Sequence, residues 1–459
     1  MSLAAPAAQR AAGPAAPARA RRVAPDRLSR WIGAAPVVGA SFVSKLAVPP
    51  LGAIGVSIVI PLLAAVSALG LVLGRLVVDV PRFVAYAIAM ATLWGIQALR
   101  GETYSVLSLL MLSVLHFPYI LRLDPLPDYR KVLDGFVKIA MVLAVCGLVQ
   151  FGAQFVIGPR LAFPIETLFP AELKVAMFNP LAYLEYGSSY YRANGIFMLE
   201  PSFFSQFMAV GMVVELLQRM RWRVLALLLA ATLVSYSGTG LVLVAACVPL
   251  ILVARGRWDL LIVGGAAVVL GLAVASATRG EFVRVFFARA NEFSAPGSSG
   301  FARFIGGFYL FEQFQWQDPL RTLFGFGAGS VDGYTRQANL PVSGTNILFK
   351  MVFEFGLVGA AAYFGFLACC FTRSQAPRLL KFVLILTYAL GGIYIPFSHA
   401  LVFGLVLWPV AGAALQEGEP GPLGPPAESW AYADRAPRAD GHPQAQDAQG
   451  AQGAQGAPA

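Results

Sequence analysis

Apolar runs of about 20 residues follow one another from Pro49 to Leu415, and the one wide gap between them, from Thr278 to Gly344, carries six arginines. About 20 apolar residues in a helix span the hydrocarbon core of a bilayer. A chain built of such runs must close its backbone hydrogen bonds inside each segment, which in lipid means helices. The expected fold class is therefore all-α: a polytopic integral membrane protein with about 12 transmembrane helices and one large extracytoplasmic loop. Composition agrees, since only 13% of residues are charged, about half the share of a soluble domain.

The expected spans are about 50–74, 80–98, 103–122, 134–157, 195–217, 222–237, 239–254, 258–277, 345–371, 379–397 and 399–415. A weaker stretch, 31–48, is interrupted by Lys45. The basic connections Arg122–Lys131, Arg219–Arg223, Arg255–Arg257 and Arg373–Lys381 alternate correctly if all four are cytoplasmic. With a basic N-terminus also inside, parity makes 31–48 a further crossing and leaves both termini cytoplasmic. Residues 1–30 read as a disordered basic tail with no signal-peptide pattern, and 416–459, rich in Gly, Pro, Ala and Gln, as a second disordered cytoplasmic tail. The transmembrane domain is then 31–415, with outer loops at about 158–194 and 278–344.

The net charge of +10 resides mostly in the tail and the cytoplasmic loops, so it points to membrane lipids as partners and not to nucleic acid. Four cysteines lie inside apolar runs without metal-ligand or disulfide spacing, and the three histidines are scattered. No metal site and no cofactor is expected. The Gly-rich FGFGAGS, Phe324–Ser330, is not a phosphate loop; its glycines read as a turn that approaches the membrane closely. SGTG, Ser237–Gly240, reads as a tight outer turn.

Three clusters carry candidate chemistry. The outer loop holds Arg279, Arg284, Arg289, Arg303, Arg321 and Arg336 and no lysine. A guanidinium grips phosphate oxygens in a bidentate way and stays charged, although arginine outnumbers lysine throughout this chain. Glu200 falls in the expected helix from Gly195 and is followed by Pro201, which should kink it; Arg192 lies about two turns before, and Gln206 extends the polar face. An acid there costs about 2.5–3.5 kcal/mol to insert, so it either faces a wet cavity or snorkels to headgroups. Lys350 and Glu354, four apart on one apolar helix, read either as an intramembrane ion pair or as substrate-binding groups. The aromatic segment Phe308–Trp316 is amphipathic enough to lie on the membrane surface.

Three ordered segments resemble the bacterial O-antigen polymerase and O-antigen ligase superfamily. They are R-x-x-G-x-F-x-x-E-P-S from Arg192 to Ser202, the run RANEFSAPGSSGFAR from Arg289 to Arg303, and Gly325, Gly327 and Gly329 followed by Asn346, Glu354, Gly356 and Gly359. The resemblance covers about residues 190–365. It implies an inner-membrane, metal-independent glycosyltransferase acting on undecaprenyl-diphosphate-linked oligosaccharide, with a chain-length regulator protein as a further partner. On that resemblance Arg289 and Arg303 bind the diphosphate, Arg192 and Glu200 orient the acceptor or take its proton, and Asn346, Lys350 and Glu354 support the site. Ligases carry a histidine directly before the asparagine, where this chain has Thr345. A threonine is no base near neutral pH, which favours a polymerase over a ligase and leaves Glu200 as the expected base. A non-enzymatic lipid-glycan flippase or transporter is the third alternative.

Overall fold

The computed structural model describes residues 27–49, 51, 56–100, 104–176, 178–184, 188–278, 298–340 and 346–410, which fall in one compact unit. They are mostly helical. The order begins α1 (Arg27–Phe42), α2 (Val59–Val72), strand β1 (Leu76–Val78), α3 (Val80–Arg100), α4 (Val106–His116), β2 (Leu121–Leu123) and α5 (Tyr129–Ala153). Two short helices follow, α6 (Pro159–Ala162) and α7 (Pro164–Leu168), then α8 (Pro201–Gln218), α9 (Trp222–Val234), α10 (Gly238–Ala254) and α11 (Trp258–Thr278). Four short helices come next: α12 (Ser299–Phe304), α13 (Gly306–Leu310), α14 (Pro319–Phe324) and α15 (Val331–Gln337). The last three are α16 (Ile347–Arg373), α17 (Arg378–Leu390) and α18 (Pro396–Val402).

Each apolar segment read from the sequence overlaps one of these helices. Those within α3, α5 and α16 are long and apolar enough to cross a membrane; α2, α9, α10 and the start of α11 are shorter apolar helices. Of the tail expected at 1–30, residues 27–30 belong to α1 and residues 1–26 lie outside the described residues. The tail at 416–459 lies outside the described residues. Residues 121–123 leave the helix expected there and pair antiparallel with 76–78, Leu121 opposite Val78 and Leu123 opposite Leu76.

The core is built around α8. Its sequence is apolar on all sides, the pattern of a helix with no solvent face, and it is buried from Phe203 through Leu216. α5, α9, α10 and α17 pack against it. Gly240 lets α10 approach, since a Cβ there would sit 2.7 Å from the Ser205 carbonyl oxygen. SGTG is thus not a free turn: Gly238 already opens α10, and the motif serves helix contact.

A polar network joins α4, α16, α17 and α18. His116 donates through Nδ1 to the Leu112 carbonyl (2.7 Å), so its Nε2 accepts the one hydroxyl proton that Tyr363 (2.7 Å) and Tyr388 (2.8 Å), bonded to each other, leave for it. His399 donates through Nε2 to the Ile393 carbonyl (2.8 Å) and accepts from Tyr119 (3.0 Å). The tautomers follow from these partners. All five side chains are buried.

The helix expected at 195–217 starts six residues late. Gly195 and Ile196 have φ of 67°, and the Asn194 and Ile196 amides are taken by the Gln150 side chain (3.0 and 3.3 Å). The backbone cannot close helical bonds until Pro201, which occupies the first turn, where its missing N–H costs nothing. Pro201 therefore starts the helix and does not kink it. Phe204 locks this loop down, with its ring pressed between Gly147 of α5 and Gly195.

Candidate functional site

Glu200 precedes α8 in extended conformation. Its Oε1 accepts from the Asn179 amide (2.9 Å) and its Oε2 from the Ser202 hydroxyl (3.0 Å). The carboxylate is half-buried, at the mouth of the helix and not inside it. Two turns of helix do not separate it from Arg192, as the sequence reading has it. Arg192 turns away, donating to the Leu184 carbonyl (3.4 Å), and its buried Nε has no partner. Burial holds that guanidinium down at about 10.

Arg303 ends α12 and comes to Glu200 instead. Burial pushes its guanidinium below the ordinary value, and the Glu200 carboxylate opposes that shift. Among the described residues the guanidinium makes no hydrogen bond or ion pair. Its backbone is fixed by Asn346, whose Nδ2 donates to the Arg303 carbonyl (2.6 Å) while Oδ1 caps α16 through the Phe349 amide (3.0 Å). Asn346 thus positions the arginine through the main chain. Arg289, Thr345, Arg279 and Arg284 lie outside the described residues. Arg321 is engaged locally, 3.7 Å from Asp318 and stacked 4.7 Å over Phe326. Arg336 donates to the Asp332 carbonyl (3.2 Å).

Lys350 and Glu354 are brought together as an ion pair at 2.8 Å in α16, with the lysine also 5.4 Å over the Tyr394 ring. Just beyond them the helix breaks. Gly356 has φ 67° and ψ −173°, a conformation open essentially to glycine alone. The carbonyls freed there are met by the Gly-rich turn: Phe326 N–H donates to Phe353 (2.9 Å) and Gly327 N–H to Glu354 (2.9 Å). The Gln315 amide covers Val352 (2.7 Å). Gly325 and Gly356 meet with their backbones in contact. The turn approaches a helix, where the sequence reading had it approach the membrane. Of the aromatic segment, Phe308, Tyr309 and Trp316 are exposed while Leu310, Phe311 and Gln315 are buried. It forms α13 and a following π turn over 311–315.

A third group escaped the sequence reading. Lys45 is buried and pairs with Glu166 of α7, donating also to the Ile196 carbonyl. Asn194 Nδ2 donates to the same Glu166 oxygen (2.9 Å), and Gln150 holds Asn194 (3.0 Å). Glu166 Oε2 is buried without a partner. Lys45 was visible only as a break in an apolar run. Its partner is 121 residues away, beyond any local pattern. Gln206, four residues past Ser202, is also buried with neither end of its amide bonded.

A small cleft, with room for about one water, is lined by Lys45, Ile165, Glu166, Lys174, Val175, Phe178, Pro180 and Leu199. Among the described residues no group of three His, Cys, Asp or Glu side chains is placed to hold a metal ion. Chemically, the arrangement offers an anchored carboxylate to accept a proton and a guanidinium, unpaired among the described residues, to neutralise an anion. Comparison with protein-family models, curated proteins and solved structures finds no match for this chain.

Proposed function

We propose that this protein polymerises undecaprenyl-diphosphate-linked oligosaccharide repeat units for a surface polysaccharide, O-antigen or exopolysaccharide. It does so from the bacterial inner membrane, spanning it about 12 times with both termini cytoplasmic. The observation that carries the reading is that the Arg303 guanidinium lies within electrostatic range of the Glu200 carboxylate, the two coming from segments the sequence resemblance joins only by order. A hydroxyl of the acceptor repeat attacks the anomeric carbon of the donor glycan. The carbon–oxygen bond to the diphosphate breaks, the proton passes to Glu200, and undecaprenyl diphosphate leaves as an anion. A half-buried guanidinium with no hydrogen bond or ion pair among the described residues suits that leaving group, because charge stabilisation gains strength away from water. Fixing the carboxylate by Asn179 and Ser202 supplies the orientation such a displacement needs.

The test is the length distribution of surface and lipid-linked glycan in a deletion strain carrying wild type, Arg303→Ala or an empty vector. Single repeat units that return to long chains only with wild type support the polymerase. Long chains stranded on undecaprenyl diphosphate would make it a ligase instead. An unchanged glycan profile on deletion would remove the transferase reading.

A further inference from the structure

We infer that residues 155–169, the turn that ends α5 together with α6 and α7, lie in the plane of the membrane, their apolar side seated in the acyl–headgroup boundary of the bilayer. The inference goes beyond the transferase reading and does not depend on it.

Exposure in this segment is divided by side. Phe155, Val156, Ile157, Leu161, Leu168 and Phe169 are exposed, Val156 at 85%, Leu168 at 69% and Leu161 at 59%. Large apolar side chains exposed together mark a contact surface, whereas scattered ones do not. The exposed polar residues here are Arg160 and Thr167. Thr167 spends its hydroxyl on the Arg160 and Phe163 carbonyls (2.8 Å each), so it asks nothing of a lipid. The other side of the segment is closed. Ala162, Phe163 and Glu166 are buried. Phe163 packs edge-on against Tyr191, with 5.3 Å between ring centroids, and Glu166 pairs with Lys45 and accepts from Asn194. Beyond α7, Lys174 donates to the Glu166 carbonyl (2.8 Å) and the Val175 amide to the Lys45 carbonyl (2.9 Å). The exposed side is thus a fixed surface and not the outside of a loose connection.

The occupant follows from what this surface continues. α5 is long and apolar enough to cross a membrane. Its exposed Val142, Val145 and Val149 step by three and four along one helical face, and Val156 extends that stripe. The Val156 and Ile157 amides still bond to the Ala153 carbonyl (3.0 and 2.8 Å). Between Lys138 and Arg160 the chain carries no charge. Residues 139–157 rise roughly 28 Å at about 1.5 Å each, which matches a hydrocarbon core about 30 Å thick. The chain then turns at Gly158, with φ 86°, where that core ends. Arg160 is exposed at this level, placed to reach lipid phosphates while Leu161 and Leu168 enter the acyl region. One lipid surface meets both needs. A second copy of the chain or another protein would have to displace lipid from the α5 stripe as well. Further along the same connection the Asn179 amide holds Glu200 Oε1 (2.9 Å), so this seating also sets the depth of that carboxylate.

The experiment uses the full chain in proteoliposomes of phosphatidylethanolamine and phosphatidylglycerol. Val156→Cys, Leu161→Cys and Leu168→Cys are labelled one at a time with an environment-sensitive fluorophore. Glu172→Cys, exposed beyond α7, and Val145→Cys, on the α5 stripe, are the references. The unaltered chain, labelled in parallel, gives the background of the four native cysteines. Quenching is read with aqueous iodide and with lipids carrying a nitroxide near the headgroup or deep in the acyl chain. We expect the three test positions to be quenched most by the shallow nitroxide, and several-fold less by iodide than Glu172→Cys. Val145→Cys should respond most to the deep nitroxide. A thermal melt of each labelled variant is the folding control, and the three positions are read independently, so one that fails to fold leaves the others to decide. Iodide quenching at Leu161 and Leu168 equal to that at Glu172 would place the segment in water and overturn the inference. Shielding from iodide and both nitroxides would mean a protein covers it, and quenching as deep as at Val145 would mean the segment enters the core; either overturns it too. The glycan profile of the deletion strain tests the transferase reading separately.

Discussion

Replacing Gly356 by alanine should unhinge the break in α16. A Cβ built there lies 2.3 Å from Leu323 C and O and from Phe324 N, backbone atoms that cannot swing aside. The reciprocal Gly325 is as tight, 2.4 Å from Glu354 C and O. Moving a non-glycine residue into a left-handed backbone conformation costs about 1–2 kcal/mol. Overpacking adds about 1–3 kcal/mol. If the turn lifts, the Phe326 and Gly327 bonds to the helix carbonyls are lost as well, at about 1 kcal/mol each. The expected destabilisation is about 4–7 kcal/mol, a fall in Tm on the order of 5–10 °C. The assay is thermal unfolding in detergent, followed with a thiol-reactive dye, since Cys247 and Cys370 are buried and free. Gly365→Ala, in the same helix with no atom within 4 Å of the added methyl, is the control and should melt within about 1 kcal/mol of wild type. Equal melting of Gly356→Ala and wild type would refute the idea that the paired glycines hold the break.

Two further outcomes are expected. Lys45→Met should cost about 3–5 kcal/mol, read by tryptophan-monitored unfolding, because it leaves the Glu166 carboxylate buried without its cation. In the aromatic network, Tyr363→Phe removes one of the two hydroxyls at His116 but leaves Tyr388 in place. It should cost about 1 kcal/mol, while His116→Phe strands buried hydroxyls and should cost about 2–4 kcal/mol; equal melting of these two variants would show that the network does not act as a unit.

The helices were legible because lipid-length apolar runs leave the backbone no other way to bond. What failed was anything closed by distant partners. The late start of α8 depends on Gln150, which comes 44 residues before Asn194 and consumes the amides that would have begun a helix. Lys350 and Glu354 could be paired from spacing alone, since four residues return to one helical face. Lys45 and Glu166 could not. The glycines of FGFGAGS were readable as a close approach, but not what they approach, because Gly356 answers Gly325 only in three dimensions. At the site the residue types were readable and their grouping was not. Arg192 and Glu200, close in sequence, make no bond to each other; Arg303 comes within range of the Glu200 charge from a segment that looked like an open loop and whose described residues include four short helices resting partly on α16.

That regrouping leaves two roles for Glu200, and one substitution separates them. As base, the carboxylate takes the acceptor proton. As counterion, it only keeps the Arg303 guanidinium neutralised until a diphosphate displaces it. Glu200→Gln keeps an oxygen for the Asn179 amide and exchanges the Ser202 bond for its reverse, so the loop geometry survives. The charge does not. If Glu200 is the base, turnover on purified lipid-linked repeat should fall about 10²–10⁴-fold with donor binding unchanged. If it is only the counterion, Arg303 loses its competitor, and the donor should bind more tightly while turnover is retained. Glu200→Asp sharpens the distinction, because it restores the charge but withdraws it by one methylene. A base held at the wrong distance loses rate steeply, whereas a counterion acting across several ångströms is little changed. Wild-type turnover in Glu200→Gln would remove the proton transfer from this residue.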